Sequence, residues 1–105
     1  MHFIETPIFT RLIRQLLDDA EYQRLQIAWI LRPELGDLIR GSGGIRKARW
    51  GVGSRGKRGG IRVIYYWDPA RETCYMLYVY PKNERDDLSA AQLRTLRSIV
   101  DEEFQ

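Results

Sequence analysis

The sequence predicts a single α+β domain over residues 1–105. In this domain an N-terminal strand, a helical hairpin and a C-terminal helix pack on a small antiparallel β-meander. Apolar residues recur at helical spacing in the first third of the chain, and their period changes to two after the glycine cluster at 41–44. A hydrophobic content of 44% in 105 residues suffices for one core.

The first third of the chain predicts a strand over residues 2–6 and then two helices. Thr6 and Pro7 are typical of an N-cap and a first helical position. A second helix start at Asp18 has acidic residues in its first turn, and Pro33 ends that helix. The two apolar faces comprise Ile8, Phe9, Leu12, Ile13, Leu16 and Leu17, and then Tyr22, Leu25, Ile27, Ala28, Trp29 and Leu31.

The rest of the chain predicts three strands, at Ile45–Val52, Ile61–Trp67 and Cys74–Tyr80, and one more helix. Short connections favour antiparallel pairing of these strands. A capping box at Ser89 and Gln92 begins the last helix, which we expect to continue to about Phe104. We expect the helices to cover one face of the sheet and to leave the other open.

Positive charge is concentrated in one segment. Eight basic residues and no acidic residue lie between positions 40 and 62, namely Arg40, Arg46, Lys47, Arg49, Arg55, Lys57, Arg58 and Arg62. The remainder of the chain holds nine basic residues against 14 acidic ones. This asymmetry indicates a polyanionic partner.

Composition also excludes several classes of function. No apolar run approaches the roughly 20 residues of a membrane span, and the N-terminus lacks the features of a signal peptide, so we expect a cytoplasmic protein. Cys74 is the only cysteine, in an apolar strand, and is interpreted as a core residue. No His, Cys and carboxylate residues stand at metal-ligand spacing, so the sequence predicts no metal or other cofactor.

Strand alternation places the candidate site on the open face of the sheet. Lys47 and Arg49 alternate with the apolar Ala48 and Trp50, so the basic pair is expected to point away from the core. By the same rule Arg62, Ile64 and Tyr66 share one face, and so do Met76, Tyr78 and Tyr80. With the strands paired in chain order, this face would gather Lys47, Arg49, Arg62 and Tyr80, with Lys82 at its rim.

These side chains are typical of RNA binding and cleavage. Cations neutralise phosphates and an aromatic ring stacks on a base. Metal-free cleavage uses the ribose 2′-hydroxyl as nucleophile, and Arg49 and Arg62 would stabilise the extra charge on phosphorus. An arginine is a poor base, so a lysine among other cations and Tyr80 are the candidates for proton transfer. With so few acid–base groups, we expect cleavage to need positioning by a ribosome.

Four segments resemble the RelE/ParE superfamily, and especially its HigB-like toxins. They are Leu35-Gly36-Asp37, Gly41-Ser42-Gly43-Gly44-Ile45-Arg46-Lys47-Ala48-Arg49, Gly56-Lys57-Arg58-Gly59-Gly60-Ile61-Arg62-Val63-Ile64-Tyr65-Tyr66 and Tyr80-Pro81-Lys82-Asn83-Glu84. The resemblance implies a ribosome-dependent endoribonuclease that cleaves translated mRNA and is held in check by a cognate helix-turn-helix antitoxin. It also implies that operator DNA is bound only through that antitoxin.

Residue by residue, the resemblance matches Lys47 and Arg49 to the basic pair of RelE-type ribonucleases and Arg62 to the arginine that holds the scissile phosphate. The sequence departs from that pattern at Asn83, where RelE-type enzymes carry an arginine, and at Ser89, where RelE has a tyrosine. Ribosomal RNA contacts are expected from residues in and near the glycine-rich loop, namely Arg46, Arg55, Lys57 and Arg58.

Two alternatives come from other functional classes. A ParE-like inhibitor of DNA gyrase would bind without catalysis, but it has no need of the cationic face formed by Lys47, Arg49 and Arg62. A non-catalytic RNA-binding module of the same fold is supported by the departure at Asn83. Mapping of mRNA ends in a translating extract distinguishes the three.

Overall fold

The computed structural model describes residues 1–51, 60–84 and 87–103, and within them the chain forms three helices and a five-stranded mixed sheet. The strands are β1 (His2–Glu5), β2 (Asp37–Leu38), β3 (Ile45–Trp50), β4 (Ile61–Asp68) and β5 (Thr73–Pro81). The helices are α1 (Pro7–Leu16), α2 (Asp19–Leu31) and α3 (Ala90–Glu103). The predicted α+β class is confirmed. The ends of the predicted first meander strand at Val52 and of the last helix at Phe104 lie outside the described residues.

The helix boundaries follow from local capping. The Thr6 hydroxyl accepts a hydrogen bond from the Phe9 N–H at 3.1 Å, and Pro7 occupies the first turn of α1. Asp18 caps α2 in the same way, accepting from the Glu21 N–H at 2.8 Å. Ser89 and Gln92 form the reciprocal capping box of α3, with bonds of 3.1 and 2.9 Å. All three predicted helix starts are therefore confirmed.

The sheet has the strand order β1-β5-β4-β3-β2. β3, β4 and β5 form the predicted antiparallel meander, but β1 pairs with β5 in parallel. The two-residue strand β2, which the sequence did not predict, pairs with β3 through Asp37 opposite Lys47. A turn stabilised by Ser42 joins them, since its hydroxyl donates to the Ile39 carbonyl at 2.6 Å and accepts from the Ile45 N–H at 3.0 Å.

The helices cover both faces of the sheet, so the expectation that one face stays open is wrong. α1 and α2 pack on one face around Phe9 and Trp29, which are fully buried. α3 packs on the other through Leu96 and Val100, against Ile45, Ile64 and Leu77 of the sheet. α3 covers this second face because its apolar stripe meets the side chains that point away from α1 and α2.

The last strand contains an irregularity that changes which side chains share a face. The pairing of β4 with β5 shifts between Ile64 and Tyr65, so that Ile64 lies opposite Tyr78 but Tyr65 lies opposite Met76. The extra residue, Leu77, is a β-bulge. Met76 consequently packs with α1 and α2, whereas Tyr78 and Tyr80 lie on the α3 face. The prediction that Met76, Tyr78 and Tyr80 share a face is wrong for Met76.

Candidate RNA-binding cleft

A cleft of about 560 Å³ opens on the α3 side of the sheet. Four cationic side chains line it, namely Lys47 and Arg49 of β3, Arg62 of β4 and Lys82, which follows β5. Two carboxylates, Asp37 and Asp87, and the apolar Leu35 and Ala48 complete the wall. The cleft is therefore a predominantly cationic concave surface, suited to a polyanionic ligand.

The sheet register brings three of these cations together. Arg49 lies directly opposite Arg62 on the neighbouring strand, and Lys47 lies two residues earlier on β3, on the same face. Lys82 is held at the end of the β4–β5 ladder, where its backbone N–H donates to the Gly60 carbonyl at 2.8 Å. The predicted gathering of these four cations in one cleft is present in the structure.

The four cations differ in exposure. Arg49 and Lys82 are exposed and Lys47 is half-buried, but Arg62 is only 7% exposed. A charged group at that depth has little water around it, so its attraction for an anion that enters the cleft is screened less than that of a surface residue. Arg62 is thus the best placed of the four to bind a phosphate tightly.

Tyr80 does not join the cleft as predicted. Its side chain is 1% exposed and belongs to the core between the sheet and α3, with its ring centroid 5.8 Å from that of Tyr78. Although Tyr80 lies opposite Arg62 in the register, α3 packs over that end of the face. A ring covered in this way is not positioned to stack on a base.

Lys47 is already engaged in an ion pair. Its ammonium donates a hydrogen bond to the carboxylate of Asp87, a residue that lies between β5 and α3. Asp87 was not predicted from the sequence, because it lies 40 positions from Lys47 and outside the motifs that carry the other cleft residues. Only the packing of α3 against the second face of the sheet brings it to the cleft.

The remaining sequence-predicted residues lie elsewhere. Arg46 points away from the cleft and binds the loop that precedes β2, donating to the Gly36 carbonyl at 2.7 Å and pairing with Glu34 at 3.9 Å. Asn83 is exposed in the turn after β5, and Ser89 caps α3. Arg55, Lys57 and Arg58 lie outside the described residues.

The loop that carries β2, and with it Asp37 of the cleft, is anchored from the core. The Tyr65 hydroxyl donates to the Pro33 carbonyl at 2.7 Å and accepts from the Gly36 N–H at 2.9 Å. Burial raises the pKa of Tyr65 to about 12, while the Gly36 N–H opposes this shift. Tyr65 packs edge-on against the fully buried Trp29, with ring centroids 5.4 Å apart.

The comparisons place this architecture among known folds. No family model matches the chain. The structure of a mutant E. coli toxin RelE in the free state covers 92% of this chain and 93% of its own, with a TM-score of 0.59 at 12% identity. The crystal structure of the isolated E. coli RelE toxin covers 93% and 97%, with a TM-score of 0.58 at 14% identity. The chain therefore has a RelE-like fold.

None of the helices within residues 1–51, 60–84 and 87–103 is long and apolar enough to cross a lipid bilayer.

Proposed function

We propose that this protein is a RelE-type toxin of a type II toxin–antitoxin system, of the HigB-like branch, and that it acts in the cytoplasm. Its activity would be ribosome-dependent endonucleolytic cleavage of translated mRNA. One observation carries the proposal: a RelE-like fold presents a cleft in which Lys47, Arg49, Arg62 and Lys82 converge. These four residues are among those expected from the sequence to bind and cleave RNA, whereas Tyr80, also expected, is buried.

The proposed reaction is attack of a ribose 2′-hydroxyl on the adjacent phosphate, without a metal ion. Arg49 and Arg62 stabilise the phosphorane with fixed positive charge, and Arg62 has the strongest effect because it is the least solvated. Lys82 is exposed at the rim of the cleft and supplies the proton to the departing 5′-oxygen. Tyr80 is given no part in this reaction, since its side chain is buried.

The residues that line the site support the proposed ribosome dependence. The four cations that line the cleft would attract any RNA backbone, and such attraction does not select a phosphate that is in line with its 2′-hydroxyl. Bound mRNA on the ribosome is already positioned, and such positioning supplies a large part of the barrier reduction. Arg55, Lys57 and Arg58, whose placement is not described, are proposed to contact ribosomal RNA, so charge reversal of Lys57 and Arg58 should weaken co-sedimentation with ribosomes.

The proposed partner is a cognate antitoxin with a helix-turn-helix domain, through which the complex binds operator DNA. An acidic segment of the antitoxin would neutralise the cleft. The helical hairpin offers a second contact, because Ile27, Ile30 and Leu31 are 52, 51 and 76% exposed at helical spacing on α2. We propose that an amphipathic helix of the antitoxin covers this stripe.

The test is expression of the chain alone, followed by mapping of mRNA ends by primer extension in a translating extract. Wild type should stop growth and produce new 5′ ends, and coexpression of the antitoxin should restore growth. Arg62→Ala should lose cleavage by about 10²–10³-fold. Arg71→Ala, at the opposite end of the sheet in the β4–β5 turn, is the matched control and should remain toxic. Intact mRNA together with inhibited gyrase supercoiling would contradict the proposal.

Burial of Tyr80 and the presence of Asn83 favour a second candidate, a non-catalytic RNA-binding module. Both observations remove a side chain that the RNase interpretation would use for chemistry. The same extract separates the two candidates. A module of this kind would associate with ribosomes in a salt-dependent manner and leave every mRNA intact.

A further inference from the structure

RNA cleavage in the cleft requires a group that takes the proton of the 2′-hydroxyl, and the structure changes which residue can do so. Of the two kinds of group expected from the sequence, Tyr80 is 1% exposed and packed under α3. Lys47 already donates a hydrogen bond to Asp87, and an ammonium group that donates is not a proton acceptor. Arg49 and Arg62 cannot act as bases, because a guanidinium group stays protonated and accepts no hydrogen bond.

Asp87 is placed at the cleft by the residues that follow it, and its side chain is 71% exposed. The next residue, Leu88, packs in the core beneath α3, and the one after it, Ser89, caps that helix. The Asp87 carboxylate itself lines the cleft beside Arg49, Arg62 and Lys82 and is oriented by the Lys47 ammonium. It is therefore a carboxylate acceptor, hydrogen-bonded to Lys47, among the groups proposed to bind the scissile phosphate.

We propose that Asp87 is the general base of the reaction and that Lys47 is its positioning residue. This inference rests on the proposed endoribonuclease function. The carboxylate takes the proton of the 2′-hydroxyl while that oxygen forms a bond to phosphorus. The bond from phosphorus to the 5′-oxygen breaks, and the Lys82 ammonium protonates this leaving group. The products are a 2′,3′-cyclic phosphate and a 5′-hydroxyl, and the proton on Asp87 returns to Lys82 through solvent.

Asp37 is the other carboxylate in the cleft, but its contacts differ. It lies directly opposite Lys47 on the edge strand β2, and the hydrogen bond from the Lys47 ammonium goes to Asp87. The base is thus assigned to the carboxylate that another side chain of the cleft holds in place. General base catalysis depends on such positioning and is typically worth about 10²–10⁴-fold in rate.

The experiment is single-turnover cleavage of a reporter mRNA on purified ribosomes by wild type, Asp87→Asn and Asp87→Glu. Asp87→Asn keeps the shape of the side chain and should lower the cleavage rate by about 10²–10⁴-fold. Its co-sedimentation with ribosomes should be unchanged or tighter, because a negative charge is lost from a cationic cleft. Asp87→Glu should restore part of the rate. Asp101→Asn, which alters a carboxylate paired with Arg97 on α3 at 3.4 Å, is the matched control and should cleave normally.

Asp37→Asn is measured beside these variants, because Asp37 is the other carboxylate that lines the cleft.

The outcomes distinguish this inference from the function on which it rests. If wild type binds ribosomes and leaves mRNA intact, the endoribonuclease itself is wrong. If wild type cleaves and Asp87→Asn cleaves equally fast or faster, the endoribonuclease stands and Asp87 is not its base. Loss of cleavage in Asp37→Asn alone would assign the role to the other carboxylate and overturn the proposal. Should Asp87→Asn fail to fold, Asp87→Glu still decides the role of Asp87. A carboxylate that is kept but displaced should cleave more slowly than wild type, and an unchanged rate would contradict the proposal.

Discussion

Arg49 and Arg62 lie directly opposite each other on β3 and β4, so two like charges occupy adjacent positions on one face of the sheet. Side chains opposite each other across antiparallel strands have Cβ atoms roughly 4.5–5.5 Å apart, and like charges there are destabilising. Arg62 is also almost completely buried. We expect this pair to cost folding free energy in the absence of an anion and to contribute to binding when an anion is present.

Relief of this repulsion should stabilise the protein while impairing RNA binding. Arg49→Gln should raise the free energy of unfolding by about 0.2–1 kcal/mol at low salt. The gain should vanish near 1 M salt, where repulsion is screened. The same variant should bind ribosomes more weakly, with a shallower salt dependence. Thermal melts and co-sedimentation check both effects. A variant that is less stable than wild type at low salt would contradict the argument.

Tyr65→Phe should loosen the loop that carries β2. The substitution removes the donor to the Pro33 carbonyl and leaves the buried Gly36 N–H without its acceptor. An unsatisfied buried group of this kind costs about 1–3 kcal/mol. Urea denaturation measures the loss, and hydrogen exchange at the Gly36 amide locates it. Unchanged protection at Gly36 would mean that another acceptor replaces the hydroxyl.

The turn between β2 and β3 should tolerate substitution at one glycine and not at another. Gly41 has a φ of 71° and nothing within 4 Å of an added Cβ, so Gly41→Asn should cost less than about 1 kcal/mol. Gly44 has a φ of 107°, and a Cβ there would approach the Tyr66 ring to 3.0 Å. Gly44→Asn should cost about 1–3 kcal/mol. Thermal denaturation of the two variants, which carry the same new residue, gives the comparison. Equal losses would contradict it.

Cys74 should be unreactive in the folded protein and should contribute to alkaline unfolding. Burial raises the pKa of its thiol from 9.0 to about 12, so the folded state keeps the proton that the unfolded state releases. Stability from this group is therefore complete below about pH 9 and is lost as the pH rises toward 12. Iodoacetamide at pH 8.5 should label the chain only after denaturation. Labelling of native protein at the rate of a free thiol would show that the site opens.

The exposed apolar stripe on α2 should matter for neutralisation and not for toxicity. Ile27→Glu combined with Leu31→Glu places charges where the antitoxin helix is proposed to dock, on residues already 52 and 76% exposed. The double variant should still stop growth, and the antitoxin should fail to rescue it because desolvating two carboxylates opposes binding. Arg11→Glu combined with Arg14→Glu, on exposed positions of α1, is the control for added negative charge. Full rescue of the α2 variant would place the antitoxin elsewhere.

The sequence by itself determined the three helix starts, the strands other than β2 and the direction of the basic pair on β3. Thr6, Asp18 and Ser89 mark the helix starts because an N-cap bond closes within three residues. Lys47 and Arg49 point to the same face of the sheet because side chains on a strand alternate between its two faces. Such features depend on residues that are only a few positions apart in the chain, so they can be read directly from the sequence.

Only the tertiary structure decided what surrounds the cleft. The bulge at Leu77 arises from the register between β4 and β5. α3 packs on the second face of the sheet because its apolar stripe buries the apolar side chains exposed on that face. The bulge places Met76 on the α1 and α2 side, and the packing of α3 buries Tyr80 and brings Asp87 to Lys47 across 40 positions of the chain. Pairing and packing energies are summed over the whole molecule, so no local pattern could have indicated that a carboxylate would enter the cationic cleft.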